Sequence, residues 1–176
     1  MTRVVIPYAG SRGKTRLALG SSEREKLSLA MLVMVLSVAV EVGQTWVISP
    51  DEPPGSGAIW IPDPGGGQGA AVAAALLEIG AGSVLVVNAD LPSLAVDDLL
   101  ALEAATPEPG IAIAAASDGT TNALGLSDTT LFAPLYGRES AARFRAHAER
   151  SGVAAADIVR PGLQNDVDTV ADLVNA

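Results

Sequence analysis

"SVLVVNADLPSL", residues 83–94, is the stretch on which the fold turns. Val84–Asn88 reads as a short buried strand, because strands covered on both faces appear as unbroken apolar runs. The run ends at a carboxylate, Asp90, and Pro92 follows, which cannot donate to a strand ladder. Asp90 has two readings. It caps the turn at Pro92, or it stands at the end of the strand to hold a cation. Mg²⁺ is typically held in this way, by one or two protein carboxylates together with phosphate oxygens.

Working outward, strands and helices alternate. Arg3–Pro7 reads as a first strand and Gly10–Thr15 as a loop. Ser22 with Glu25 resembles a capping box that opens a helix running to about Val42. Thr45–Ile48 and the shorter Ala58–Ile61 read as strands. "PDPGGGQG", residues 62–69, breaks the chain before an Ala-rich helix over Ala70–Ile79. Val96–Ala105 reads as a helix and Ile111–Ala116 as a strand. Residues 117–137 read as a strand pair with turns, Glu139–Ser151 as a polar helix, Asp157–Val159 as a short strand and Val170–Asn175 as a helical turn. This alternation predicts an α/β chain of a single domain over residues 1–176, with a mostly parallel mixed sheet covered on both faces. Ligands of such sheets bind beyond the carboxyl ends of the strands. Gly10, Lys14 and Asp90 would all lie there.

Composition narrows the chemistry. The chain is 49% hydrophobic but only 3% aromatic, so its core is built from aliphatic residues. It has no cysteine, which excludes disulfides, thiolate metal sites and a cysteine nucleophile, and fits a reducing, cytoplasmic location. A net charge of −9 argues against general nucleic-acid binding. The most apolar stretch, Leu27–Val40, is bounded by Lys26 and Glu41 and falls short of the roughly 20 residues a membrane span needs. It reads as a buried core helix, whose apolar surface could also serve a homodimer. All lysines and arginines lie within residues 3–26 or 138–160. An anionic ligand must therefore meet the first loop, the late helix region or backbone N–H groups. Arg24, Lys26, Arg145 and Arg150 read as solvated helix faces.

Several polar groups could do chemistry. In "AGSRGKTRL", Ala9–Leu17, Gly10 and Gly13 would let backbone N–H groups approach a phosphate while Arg12, Lys14 and Arg16 neutralise it. The stretch is not a Walker loop, since Tyr8 stands where that motif needs glycine. A basic surface turn is the alternative. Gly65, Gly66 and Gly67 form a second cluster on which a base or ribose could lie, or simply a loop. "NDVDTVADL", residues 165–173, offers Asp166 and Asp168. In an extended segment they point opposite ways, so only one would share a site with Asp90; a helix cap at Asp168 is the alternative. "DGTTN" (118–122) and "GRES" (137–140) could hold a small phosphorylated acid or be plain turns. His147 is the only histidine and sits in a charged helix, so a Ser-His-Asp hydrolase is untenable.

Read together, "GKTRLA", "PDPGGGQGAAVAAAL", "VLVVNADLPSL", "DGTTNAL", "YGRESAARF" and "NDVDTVADL" occur in an order that resembles the 2-phospho-L-lactate or phosphoenolpyruvate guanylyltransferases. These belong to the nucleotidyltransferases related to molybdenum-cofactor guanylyltransferase and contribute to the deazaflavin coenzyme F-420. The resemblance implies a three-layer α/β/α, Rossmann-like nucleotidyltransferase fold. It also implies a reaction in which a phosphate oxygen of the acceptor acid attacks the α-phosphorus of GTP and pyrophosphate leaves. Carried over, Lys14 and Arg16 neutralise the triphosphate, with Gly10, Arg12 and Gly13 beside them. Gly65–Gly67 border the nucleotide, Asp90 and Asp168 hold Mg²⁺, and Thr121, Gly137 and Ser140 hold the acceptor. Related readings keep the transfer but change the acceptor to molybdopterin or a sugar or alcohol phosphate, or retain nucleotide binding alone. The chain departs from the family pattern in a first loop one residue shorter and in four substitutions. Ala9 replaces a lysine, Gln68-Gly69 replace Leu-Asn, Glu139 replaces a glycine and Phe144 replaces a histidine.

Overall fold

The computed structural model describes residues 1–10, 20–55 and 57–166. Its strands are β1 (Thr2–Pro7), β2 (Gly43–Ser49), β3 (Ile59–Pro62), β4 (Val84–Val87), β5 (Gly110–Ala115), β6 (Thr121–Leu126) and β7 (Ala154–Asp157). The helices are α1 (Ser21–Val42), α2 (Gln68–Ile79), α3 (Val96–Ala105), α4 (Ser140–Arg150) and the single turn α5 (Pro161–Gln164). The strands form one seven-stranded sheet in the order β3-β2-β1-β4-β6-β5-β7. Pairing is parallel except around β6, which runs antiparallel to both β4 and β5.

Period-two alternation divides the core between the two faces of the sheet. Val4, Ile6, Leu85 and Val87 pack under Leu32, Val35 and Leu36 of α1 and Leu99 and Leu102 of α3. Val5, Val84 and Val86 face the other way, under Val72 and Ala75 of α2 and Phe144 of α4. The expected three-layer α/β/α arrangement follows, because the central strands must be covered twice. Leu27–Val40 is buried along one face only. Met31, Leu32, Val35, Leu36 and Ala39 point inward, whereas Val33 and Met34 remain about half exposed, at 47% and 49%. Among the described residues no helix is long and apolar enough to cross a membrane.

Several boundaries differ from the sequence reading. The cap of α1 is formed by Glu23, not by Ser22 with Glu25: Gly20 donates its N–H to Glu23 Oε2 at 3.1 Å. The expected strand pair in 117–137 is one strand, β6, followed by a 3₁₀ turn at Thr129–Leu131. β6 forms its hairpin with the preceding strand β5, through the turn at 116–120, and pairs on its other side with β4, so the stretch after it is free of strand pairing among the described residues. The last strand lies at Ala154–Asp157, earlier than Asp157–Val159, because Gly110–Ile113 of β5 offers its free edge to that stretch. The helical turn expected at Val170–Asn175 lies outside the described residues. At Gly43, α1 passes directly into β2, and a Cβ there would collide with the carbonyl of Thr2. Glycine thus permits the close crossing of two backbones.

Candidate active site

A cleft of about 210 Å³ opens at the carboxyl edge of the sheet, where β1 and β4 end side by side. From β1 the chain crosses by α1 to β2, over one face; from β3 it returns by α2 to β4, over the other. The crevice between β1 and β4 is therefore the topological switch point, the usual ligand position in such sheets. Its floor is formed by Pro7 and Tyr8 after β1 and by Asn88, Ala89 and Asp90 after β4. Tyr8 is held by its backbone N–H, which donates to the Ile48 carbonyl at 2.7 Å. Asp90 thus occupies the position the opening stretch of sequence suggested: beyond a fully buried strand, facing the cleft.

One wall is Ser28 of α1; the other is Asp63, Gly67 and Gln68 at the entry to α2. Gly65, Gly66 and Gly67 have φ of +79°, +85° and +88°, a run that only glycine adopts without strain. Asp63 accepts the N–H of Gly65 at 2.9 Å and so starts the turn. Gly67 lines the cleft and caps α2 through its carbonyl, which accepts from Ala70 and Ala71 at 3.1 Å. Gly65 and Gly66 are exposed on the loop leading in. Among the described residues no side chain caps the N-terminus of α2, so its N–H groups are directed at the cleft with the positive end of the helix dipole. Across the floor, Gln68 Nε2 donates to Asn88 Oδ1 at 2.6 Å.

None of the described residues that line the cleft is basic. Gly10 lies at its rim and the chain returns through α1, which contributes Ser28. The intervening Arg12, Gly13, Lys14 and Arg16, expected to meet phosphates, lie outside the described residues. So does Asp168. Asp166 is described, and Asn122 Nδ2 donates to its Oδ1 at 3.4 Å.

The expected acceptor residues Thr121, Gly137 and Ser140 are brought together. Ser140 Oγ donates to Thr121 Oγ1 at 2.9 Å, with both residues buried. Gly137 is exposed at φ +105°, and its carbonyl accepts the Ser140 N–H at 3.0 Å. Arg143 Nη2 clamps this loop, donating to the carbonyls of Tyr136 and Arg138 at 2.9 Å each. Burial raises the Tyr136 hydroxyl above its ordinary pKa, so it stays neutral beside Phe144, which meets it edge-on at 5.5 Å. Phe144 is fully buried, so this departure from the family pattern falls in the core. The loop also touches the first turn of α2: a Cβ on Gly69 would lie 2.6 Å from Pro134 Cβ. His147 lies apart from this machinery. Its Nε2–H donates to the carbonyl of Leu131 at 3.0 Å, an oxygen that can only accept.

Sequence reasoning missed Tyr8, Ser28, Asp63, Gln68 and Asn88 as cleft residues. Asp63 and Gln68 flank the glycine run and Asn88 precedes Asp90, so adjacency could have found them. Ser28 carried no such signal, since it reaches the cleft only through the packing of α1.

A family model described as the MobA-like NTP transferase domain matches residues 22–157. The chain is 36% identical to a phosphoenolpyruvate guanylyltransferase of Sphaerobacter thermophilus, covering 98% of this chain and 90% of that protein. It is 30% identical to a 3-phospho-D-glycerate guanylyltransferase of Phenylobacterium zucineum, covering 99% and 88%. Among solved structures, the 2-C-methyl-D-erythritol 4-phosphate cytidylyltransferase of Thermus thermophilus shares the fold, with a TM-score of 0.66 at 21% identity over 98% of this chain and 95% of that one. The protein is thus a nucleotidyltransferase of the Rossmann-like fold. More narrowly, the chain belongs to the phosphoenolpyruvate/2-phospho-L-lactate guanylyltransferase family of MobA-like enzymes.

Proposed function

We propose that the protein transfers GMP from GTP to phosphoenolpyruvate or 2-phospho-L-lactate, releases pyrophosphate, and so serves coenzyme F-420 synthesis. The observation that carries this reading is Asp90, presented by buried β4 into a switch-point cleft whose opposite wall is the uncapped N-terminus of α2. The names of the relatives support guanylyl transfer to a small phosphorylated acid.

In the proposed step, a phosphate oxygen of the acceptor bonds to the α-phosphorus of GTP while the bond from that phosphorus to the bridging oxygen breaks. Pyrophosphate carries the electron pair away. Such chemistry needs positioning and charge neutralisation more than a proton-transfer residue. The Gly65–Gly67 loop and the α2 N-terminus would seat the nucleotide, and Lys14 and Arg16 would neutralise the leaving pyrophosphate. Thr121 and Ser140, locked together, would shape the acceptor loop that exposes Gly137. Asp90, a hard oxygen donor on the cleft floor, suits Mg²⁺, and Asp168 would be its second ligand. The ion would supply charge neutralisation at the phosphates.

Pyrophosphate release tests the reading. Protein, Mg²⁺ and each nucleoside triphosphate are mixed with phosphoenolpyruvate, 2-phospho-L-lactate, 3-phospho-D-glycerate or no acceptor. Release with GTP and phosphoenolpyruvate or phospholactate is expected. Release with phosphoglycerate alone would move the acceptor, and release with another triphosphate would move the base. GTP binding without release under any pairing would favour a nucleotide-binding paralogue.

A further inference from the structure

A line of side-chain amides joins the nucleotide wall to the last described segment. Gln68 Nε2 donates to Asn88 Oδ1 at 2.6 Å. Asn88 Nδ2 donates to the Thr121 carbonyl at 3.2 Å and lies 3.5 Å from Asn122 Oδ1. Asn122 Nδ2 in turn reaches the Gln164 carbonyl at 3.3 Å and Asp166 Oδ1 at 3.4 Å. The direction of this line is set at its far end. A backbone carbonyl only accepts, as does an ionised carboxylate, so Asn122 must turn its amino group toward 164–166 and its carbonyl toward Asn88. Asn122 is 1% exposed, so these partners are what satisfy its amide.

The segment it receives has travelled far. Past edge strand β7 the chain stays beside β5 for one more bond, Ile158 N–H donating to the Ile113 carbonyl at 3.0 Å, before it enters α5. Arg160 Nε then pairs with Asp98 Oδ1 of α3 at 2.9 Å, and Asp98 is only 7% exposed at its side chain. Gly162 packs so closely on Asp98 and the Ser93 carbonyl that a Cβ would clash with both. This strap brings Asp166 from the sheet edge back toward β6, where Asn122 meets it.

We propose that Asn122 is a positioning residue for the transfer reaction. It holds the Gln164–Asp166 segment in place beside the end of β4, so that this segment is aligned with Asp90 and the Gln68–Asn88 wall. The proposal rests on the guanylyltransferase reading, and its test separates the two.

The test compares wild type, Asn122→Ala, Asp166→Ala and the double variant. Two quantities are read: steady-state pyrophosphate release, and amide hydrogen exchange of a peptide spanning 158–166. In Asn122→Ala, kcat should fall by about 10²-fold, the scale of a small misplacement of reacting groups, while the KM for GTP changes little. The double variant should be no slower than the slower single variant, because both remove the same alignment. Exchange over 158–166 should accelerate about tenfold or more, while peptides from α2 and β4 keep wild-type rates. Wild-type kcat in Asn122→Ala, or multiplicative losses in the double variant, would overturn the proposal. Should Asn122→Ala fail to fold, Arg160→Ala releases the other anchor and should accelerate the same peptide; unchanged exchange would count against the proposal. Should the wild type release no pyrophosphate, the functional reading fails, and unchanged exchange in Asn122→Ala would still overturn the positioning role independently.

Discussion

The hydroxyl of Ser140 donates to the hydroxyl of Thr121 at 2.9 Å, inside a part of the molecule where both residues are buried. This bond ties the first residue of α4 to the first residue of β6. It therefore sets the height of the Gly137–Glu139 loop above the sheet edge. Ser140→Ala removes the donor and strands a buried hydroxyl, which should cost about 1–2 kcal/mol of stability. The KM for the acceptor should rise while that for GTP holds. An unchanged acceptor KM, measured by pyrophosphate release, would separate this bond from acceptor binding.

Asp90→Asn keeps the size and the backbone of the cleft floor but removes the charge. Turnover should fall by at least about 10²-fold, with the melting temperature close to wild type, because the loss is of electrostatic stabilisation and not of packing. Full activity in this variant would take Asp90 out of the reaction.

Gly69→Ala sets two effects against each other. Helix propensity favours alanine by about 1 kcal/mol. The new methyl would stand 2.6 Å from Pro134 Cβ and 3.1 Å from Pro134 Cα, so part of the backbone must move. Overpacking of this kind costs about 1–3 kcal/mol. Net destabilisation is expected, together with a raised acceptor KM, as the loop carrying Gly137 is pushed from α2. A stabilised variant in thermal melts would show that the contact relaxes freely.

Glu139 is the only non-glycine residue at positive φ among the described residues, at +55°. Its ion pair with Arg138, 3.7 Å long between largely exposed side chains, offers little in return. Glu139→Gly relieves left-handed strain of about 1–2 kcal/mol and gives back part of it as unfolded-chain entropy. A gain of about 0.5–1 kcal/mol is expected in denaturant unfolding, and a loss would mean that the glutamate makes a favourable contact in solution.

Acid stability should involve Asp128, at the opposite edge of the sheet. Its pKa lies below the ordinary 3.8, chiefly because its carboxylate accepts from the Thr130 hydroxyl and then the Thr130 N–H, with Gly82 N–H and the charge of Arg3 adding to the effect. A depressed folded-state pKa stabilises above the unfolded pKa, and that stability is lost as pH falls through the folded value. Asp128→Asn should therefore melt below wild type at neutral pH, with the gap closing below about pH 3.8. A gap independent of pH would assign the effect to packing.

Much of the fold was legible because burial writes a local pattern. The apolar run Val84–Val87 is fully covered in the structure, as its composition demanded. Val96–Ala105 forms a helix over the residues expected. The Gly65–Gly67 run could be recognised as a special backbone, since few contexts require so much glycine together. Other elements left no local trace. β7 is Ala154–Asp157, a stretch of alanines with little strand preference, and it becomes a strand only because β5 presents an unpaired edge.

What the sequence determined by itself is the alternation of strands and helices, the position of Asp90 beyond a buried strand and the confinement of positive charge to two stretches. Each follows from residue type and spacing within a few turns of chain. What only the tertiary structure decided is which polar groups meet. Asn122 and Asp166 are 44 residues apart and Ser140 and Thr121 are 19 apart, yet each pair lies within hydrogen-bond reach. The path that joins them runs through the antiparallel reversal at β6, the edge strand β7 and the Arg160–Asp98 strap. The physical reason is that such contacts depend on how several packed elements close on one another, a sum of long-range terms that no local periodicity carries.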